Sequence, residues 1–146
     1  MKKKILSVSI IIALLMSMLV MLTGCGSDTA QYDENGEYAQ YIEKIRNTKS
    51  VTKYGMHTYG ELFDAILKNS KWDHYSNYLG NGSEVAISVT GENKNTGDDI
   101  EFVFVTRTNS DTVGFESGTK NGESVDVYDL SEELLEAAYE ELGGEE

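Results

Sequence analysis

His57 and His74 stand 17 positions apart with Glu61 and Asp73 close to them in sequence, and two imidazoles with a carboxylate are donors that zinc accepts. No His-x-x-x-His or similar spacing fixes them on one face, so they read as half-exposed structural histidines. Asp98, Asp99 and Glu101 beside Asn93 and Asn95 offer oxygens of the kind calcium takes. The order Asp-x-Asp-x-Asp-Gly that would arrange them is missing, and a solvated hairpin tip is expected. Ser-x-x-Lys occurs at Ser50 with Lys53 and at Ser117 with Lys120, but neither match opens a helix that would return the amine to the hydroxyl. Gly-x-Ser-x-Gly is absent, and Gly80-x-Gly82 runs into a strand and so does not form a dinucleotide loop. Paired carboxylates for glycosidic chemistry are uninformative where acids are this abundant. The expectation is no catalytic centre, no metal site and no cofactor.

Tyrosine is the enriched type with binding potential. Tyr32, Tyr38, Tyr41, Tyr54, Tyr59, Tyr75 and Tyr78 precede the middle of the region after residue 25, together with the single tryptophan, Trp72. Tyr54, Tyr59, Trp72, Tyr75 and Tyr78 form the candidate binding surface, a rigid amphipathic patch for a protein or a glycan. In the competing expectation Tyr41, Tyr59 and Tyr75 bury their rings and leave the hydroxyl wet.

Cys25 is the only thiol in the chain. Lys2, Lys3 and Lys4 make a positive start, and residues 5–22 are apolar apart from Ser7, Ser9 and Ser17. By length that run also fits a spanning helix, since ~18 residues rise ~27 Å. The four residues Leu22-Thr23-Gly24-Cys25 decide for a cleaved signal: they resemble the lipobox of bacterial lipoproteins. The resemblance implies cleavage before Cys25, a diacylglycerol thioether on its sulfur and membrane-lipid attachment on the extracytoplasmic side. Further acyl chains would make the anchoring stable.

The expected organisation is a signal peptide over residues 1–24, a lipidated cysteine and flexible linker over 25–36, and one domain over 37–146. Loss of residues 1–24 takes away three of twelve positive side chains and none of 25 negative ones, leaving 122 residues with a net charge of −16. That length suits one domain. The negative field opposes nucleic acid, whose binding requires Lys and Arg on phosphates, and it opposes lying flat on anionic lipid. With no second cysteine, the domain is held without disulfides. Without proline the linker is no stiff spacer and reaches at most ~40 Å.

Tyr38, Tyr41, Ile42 and Ile45 mark one face of a helix over 37–47, followed by an extended stretch to Gly55. Thr58-x-x-Glu61 is a capping box, and Leu62, Phe63, Ile66 and Leu67 predict a helix over 59–69 closed by Asn69 in the left-handed region. Trp72 is expected to fold back over that helix end. Val85, Ile87 and Val89 alternate with Ala86, Ser88 and Thr90 in a half-buried strand. Ile100 to Val105 is apolar on both faces and predicts a central strand. Val113–Ser117 and Val125–Val127 complete a four-stranded antiparallel meander. A last helix with Ser131 as N-cap carries Leu134, Leu135, Ala138, Tyr139 and Leu142 and stops at Gly143-Gly144.

The result is an α+β fold with helices on one face of an antiparallel sheet, a two-layer domain loosely similar to the β-lactamase-inhibitor-protein-like fold. The run Thr58-x-Gly60-Glu61-x-Phe63, then Trp72, then Val85, Ile87 and Val89 closing at Gly91 looks like a module of small Gram-positive lipoproteins. It spans about residues 51–128, and no activity comes with it. Charge is uneven. Six of the nine positive side chains after residue 25 lie between Lys44 and Lys71, whereas residues 129–146 hold eight acids and no base. The two regions face each other, the helix offers a basic partner a handle, or, as favoured, it is a solvated acidic face.

Function is expected to be that of a membrane-anchored, non-enzymatic extracytoplasmic module binding a protein or cell-envelope component. The alternatives are an accessory ligand- or calcium-binding lipoprotein and a purely structural envelope protein.

Overall fold

Ile87 and Val89 of β2 (Glu84–Asn93) stand opposite Phe104 and Phe102 of β3 (Asp99–Arg107), so four apolar side chains share one sheet face. In the computed structural model, which describes residues 30–50 and 53–143, this face is the floor of the core. Cys25 and the apolar segment before it lie outside the described residues. Three helices cover the floor: α1 (Ala39–Asn47) with Ile42 and Ile45, α2 (Tyr59–Ile66) with Leu62, Phe63 and Ile66, and α3 (Val127–Glu141) with Leu130, Leu134, Leu135 and Ala138. The sheet runs β1 (Leu67–His74), β2, β3, β4 (Val113–Lys120), β5 (Glu123–Val125) in spatial as in chain order, every neighbour antiparallel. The molecule is α+β with two layers, as expected, and β3 is central. There are five strands where four were expected.

The added strand is β1, which the sequence reading took as helix end and loop. Helix α2 stops at Ile66, and Leu67 is already extended. The periodicity hides the strand because Leu67 and Trp72, its buried apolar residues, are five apart and would face opposite sides of a regular strand. Asn69 does adopt the left-handed conformation, φ 54°, but within β1, where the register slips between Lys68 and Lys71. That bulge returns Trp72 to the face of Leu67.

The Thr58 capping box is present. Thr58 Oγ1 accepts from Glu61 N–H at 3.2 Å and Glu61 Oε2 accepts from Thr58 N–H at 2.7 Å, which holds the Glu61 carboxyl below its ordinary range. Gly60 permits α1 and α2 to meet, because a Cβ there would lie 2.9 Å from the Arg46 carbonyl. The last helix begins earlier than expected. Asp126, and not Ser131, caps it, accepting from Tyr128 and Asp129 N–H at 2.9 and 3.1 Å. Ser131 is buried inside the helix and donates its hydroxyl to the Tyr128 carbonyl at 2.8 Å.

Residues 30–32, part of the stretch read from sequence as a flexible linker, are instead fastened to the edge of β1. Gln31 N–H donates to Ser70 O at 2.8 Å, and Trp72 N–H donates to Gln31 O at 2.9 Å, making a parallel bridge. Ala30 and Tyr32 pack against the core. On the helix-free face Ala86, Ser88 and Val103 are also buried. Residues 75–83 return over this face: the Tyr78 hydroxyl donates to Glu84 at 2.7 Å, and Tyr75, Tyr78 and Leu79 line a hollow with Glu116 and Ser117 of β4.

Candidate binding surface

The five aromatic residues singled out by sequence do not form one surface. Tyr54, Tyr59 and Trp72 are only 4%, 1% and 1% exposed and belong to the core. Trp72 stacks on Phe104 at 5.9 Å and meets Phe63 edge-on at 6.0 Å, while Tyr59 lies 5.2 Å from Phe104 and Tyr54 5.3 Å from Tyr139. Tyr75 and Tyr78 are half-buried on the other side of the sheet. Sequence gives residue type and spacing, but strand parity decides which layer a ring enters, and the bulge at Asn69 sends Trp72 inward. Cys25 lies outside the described residues.

Around the fastened N-terminal arm, Tyr32, Tyr38, Lys71, Trp72 and Asp73 help line a cleft of about 410 Å³. Tyr38 stacks flat on His74, with 3.7 Å between ring centroids. Lys71 bonds Asp73 at 3.0 Å, and this contact first, with the His74 backbone N–H, holds the Asp73 carboxyl below its usual range. The Trp72 indole N–H is buried without an acceptor among the described residues.

The carboxylates considered for calcium are organised by protein donors. Asp98 accepts from the Thr96 hydroxyl at 2.6 Å, from Asn121 Nδ2 at 2.7 Å and from Lys120 Nζ at 3.2 Å, and these bonds lower its pKa to about 2. Asn93 turns inward and accepts from the Asn95 and Thr96 N–H groups. The two histidines have separate surroundings: His57 lies 3.9 Å from Glu61 and edge-on to Tyr139, while His74 lies under Tyr38. Among the described residues no group of three or more His, Cys, Asp or Glu is placed to hold a metal.

A partly open apolar region lies at the far end of the sheet. Strand β5 pairs only with Gly118–Lys120, because Asp126 then takes the chain out of the sheet and into α3. The outer edge of β4 over Val113–Ser117 therefore has no neighbouring strand among the described residues. Beside that edge, on the helix face, Tyr54, Phe115, Tyr128 and Leu135 line a cleft of about 390 Å³, with Tyr128 67% exposed and 6.3 Å from Phe115. On the other face lies the hollow of Tyr75, Tyr78 and Leu79. Glu116, Glu123, Asp126, Asp129 and Glu132 are exposed around this end. Lys120 is committed to Asp98 and Glu133, and Lys53 to Glu136 at 3.3 Å.

Sequence reasoning missed Phe115 and Tyr128 as surface groups. The available signal was Tyr128 itself, an aromatic at the start of a helix, outside the stripe of Leu134, Leu135 and Ala138. The basic stretch does not pair with the acidic helix as a block. Among the described residues, Lys53 is the one of the six that forms an ion pair with α3, while Arg46 binds Asp64 and Lys68 binds Glu92. No protein-family model, curated protein or solved structure matches the chain.

Proposed function

We propose that the chain is a lipid-anchored extracytoplasmic lipoprotein whose folded domain is a non-enzymatic interaction module for a protein or another envelope component. Support for the anchor comes from Leu22-Thr23-Gly24-Cys25 behind a basic start and an apolar run. The observation that carries the binding role is the apolar cleft of Tyr54, Phe115, Tyr128 and Leu135, edged by Lys53 and Glu132, beside the part of β4 that β5 does not pair. An exposed aromatic next to a desolvated pocket is the kind of anchor on which interfaces concentrate their free energy.

Membrane fractionation with mass spectrometry of the mature N-terminus tests the anchor. The expected product begins at an acylated Cys25 and is released from the membrane by Cys25→Ser. An unshortened Met1 species that stays membrane-bound in that variant would replace the anchor with a spanning helix. A broad hydrolase screen tests the second half, and turnover abolished by a single-residue change would refute it.

A small-ligand receptor is the second reading, favoured by the cleft at the arm with its unpartnered Trp72 indole N–H. Thermal melts with calcium and with cell-wall fragments separate the two. A saturable rise in midpoint supports the receptor, since a ligand that binds only the folded state stabilises it by linkage.

A further inference from the structure

We infer that the outer edge of Val113–Ser117 is a docking lane for an extended, basic-flanked segment of a partner protein, which adds to the sheet beside β4 in line with β5. This mode of binding rests on the interaction-module role, not on the lipid anchor.

Three features of one place carry it. The first is backbone chemistry. A strand edge presents N–H and C=O groups that only an extended chain can pair as a ladder, and peptide recognition by strand addition uses this. The two sheet edges here are treated differently: β1 is bridged by the arm at Gln31, while β5 covers just the last three residues of β4. Among the described residues no strand lies beside the lane, because the Asp126 cap turns the chain away after Val125.

The second is the pair of hollows flanking the lane. Successive side chains of an added strand alternate between the faces of the sheet. One set would meet Phe115, Tyr128 and Leu135, and the other Tyr75, Tyr78 and Leu79. The register slip that leaves Glu116 unmatched between Phe115 and Ser117 sits within the lane, where it bends β4 locally.

The third is charge. Glu116, Asp126, Asp129 and Glu132 are exposed about the lane, whereas the bases near it are engaged: Lys53 faces Glu136, Lys120 faces Asp98 and Glu133, and Arg107 faces Glu84. Lysine or arginine at the ends of the incoming segment would complement this field. The same field opposes a second copy of this chain pairing edge to edge.

The test uses the full chain in detergent and a nine-residue probe of alternating valine and threonine with lysine pairs at its ends. The expected result is saturable binding that weakens with salt and slows amide exchange within Val113–Ser117 at least about tenfold. Methylating alternate peptide nitrogens of the probe should abolish binding, because the ladder loses its donors. Glu116→Lys and Tyr128→Ser, both exposed positions, should each weaken binding by about tenfold without shifting the melting midpoint. Four outcomes would overturn the inference: no binding, unchanged exchange at Val113–Ser117, equal binding by the methylated or by a glutamate-flanked probe, or concentration-dependent protection of that edge without probe, which would assign it to a second copy. None of these touches the interaction role itself, which the hydrolase screen decides.

Discussion

The guanidinium of Arg46 grips the carboxylate of Asp64 with two parallel bonds, Nη2 to Oδ2 at 2.7 Å and Nη1 to Oδ1 at 3.2 Å. The same guanidinium carbon lies 5.1 Å from the Trp72 ring centroid and 5.5 Å from that of Tyr32, and Asp64 also accepts from the Ser70 hydroxyl at 3.0 Å. One cation thus joins the arm, α1, α2 and β1. Arg46→Lys keeps the charge and loses both the fork and the planar stack, so urea melts should show a loss of about 1–2 kcal/mol. Arg46→Ala should cost more, ~2–3 kcal/mol, because Asp64 is left half-buried without its counter-ion. Wild-type stability in Arg46→Lys would mean that the fork is solvated and idle.

Gln31→Pro removes the N–H that bonds Ser70 O. The arm should loosen, which hydrogen exchange would register as faster loss of protection at the Trp72 amide, the partner of Gln31 O. The global cost should be about 1 kcal/mol, since the arm is a peripheral element. Unchanged Trp72 exchange would show that the bridge does not hold the arm.

Asp98 gives a pH signature. Its folded pKa of about 2 lies below the ordinary 3.8, so the hairpin tip draws stability from the ionised carboxylate above that ordinary value and loses it as pH falls toward 2. A carboxyl NMR titration should place the midpoint near 2. Thr96→Val should raise it more than Lys120→Met does, because the Thr96 hydroxyl bond, at 2.6 Å, is the shortest of the three and that of Lys120, at 3.2 Å, the longest. A wild-type midpoint near 4 would contradict the bonds at the tip.

Trp72 and Tyr78 were grouped by sequence and should separate by mutation. Trp72→Ala empties a core site and should destabilise by ~3–5 kcal/mol. Tyr78→Phe removes a solvent-accessible bond to Glu84 and should leave stability close to that of the wild type. Equal, small losses in denaturant melts would return Trp72 to the surface.

Those two residues also show what sequence makes legible. Helix α1, the capping box, β2 and the two-sided β3 follow from local periodicity, and the α+β class follows from their order. Strand β1 does not, because its alternation is broken by one left-handed asparagine, a tertiary feature that changes parity without changing composition. The start of α3 was displaced because two acceptable caps lie five residues apart, and packing of Leu130 and Ser131 chose Asp126. At the candidate surface, tyrosine enrichment pointed to aromatic mass, but which rings enter the core, as Tyr54, Tyr59 and Trp72 do, depends on packing that residue type does not carry. The uncovered lane of β4 was not legible at all: it depends on where β5 ends against β4, a property of pairing.

The bridge at Gln31 would set the geometry of the lipid-anchored molecule proposed above. Only five Cα steps join Cys25 to Ala30, the first residue packed on the domain, a contour of at most ~18 Å against the ~40 Å of an unfastened leader. If Cys25 carries the lipid proposed above, so short a leash would hold the β1 margin next to the lipid headgroups and turn the β4 margin, three strand spacings or ~14 Å across the sheet, away from them. In that arrangement the acids about the β4 margin would face away from the bilayer, and the bilayer would screen the β1 margin from an incoming chain.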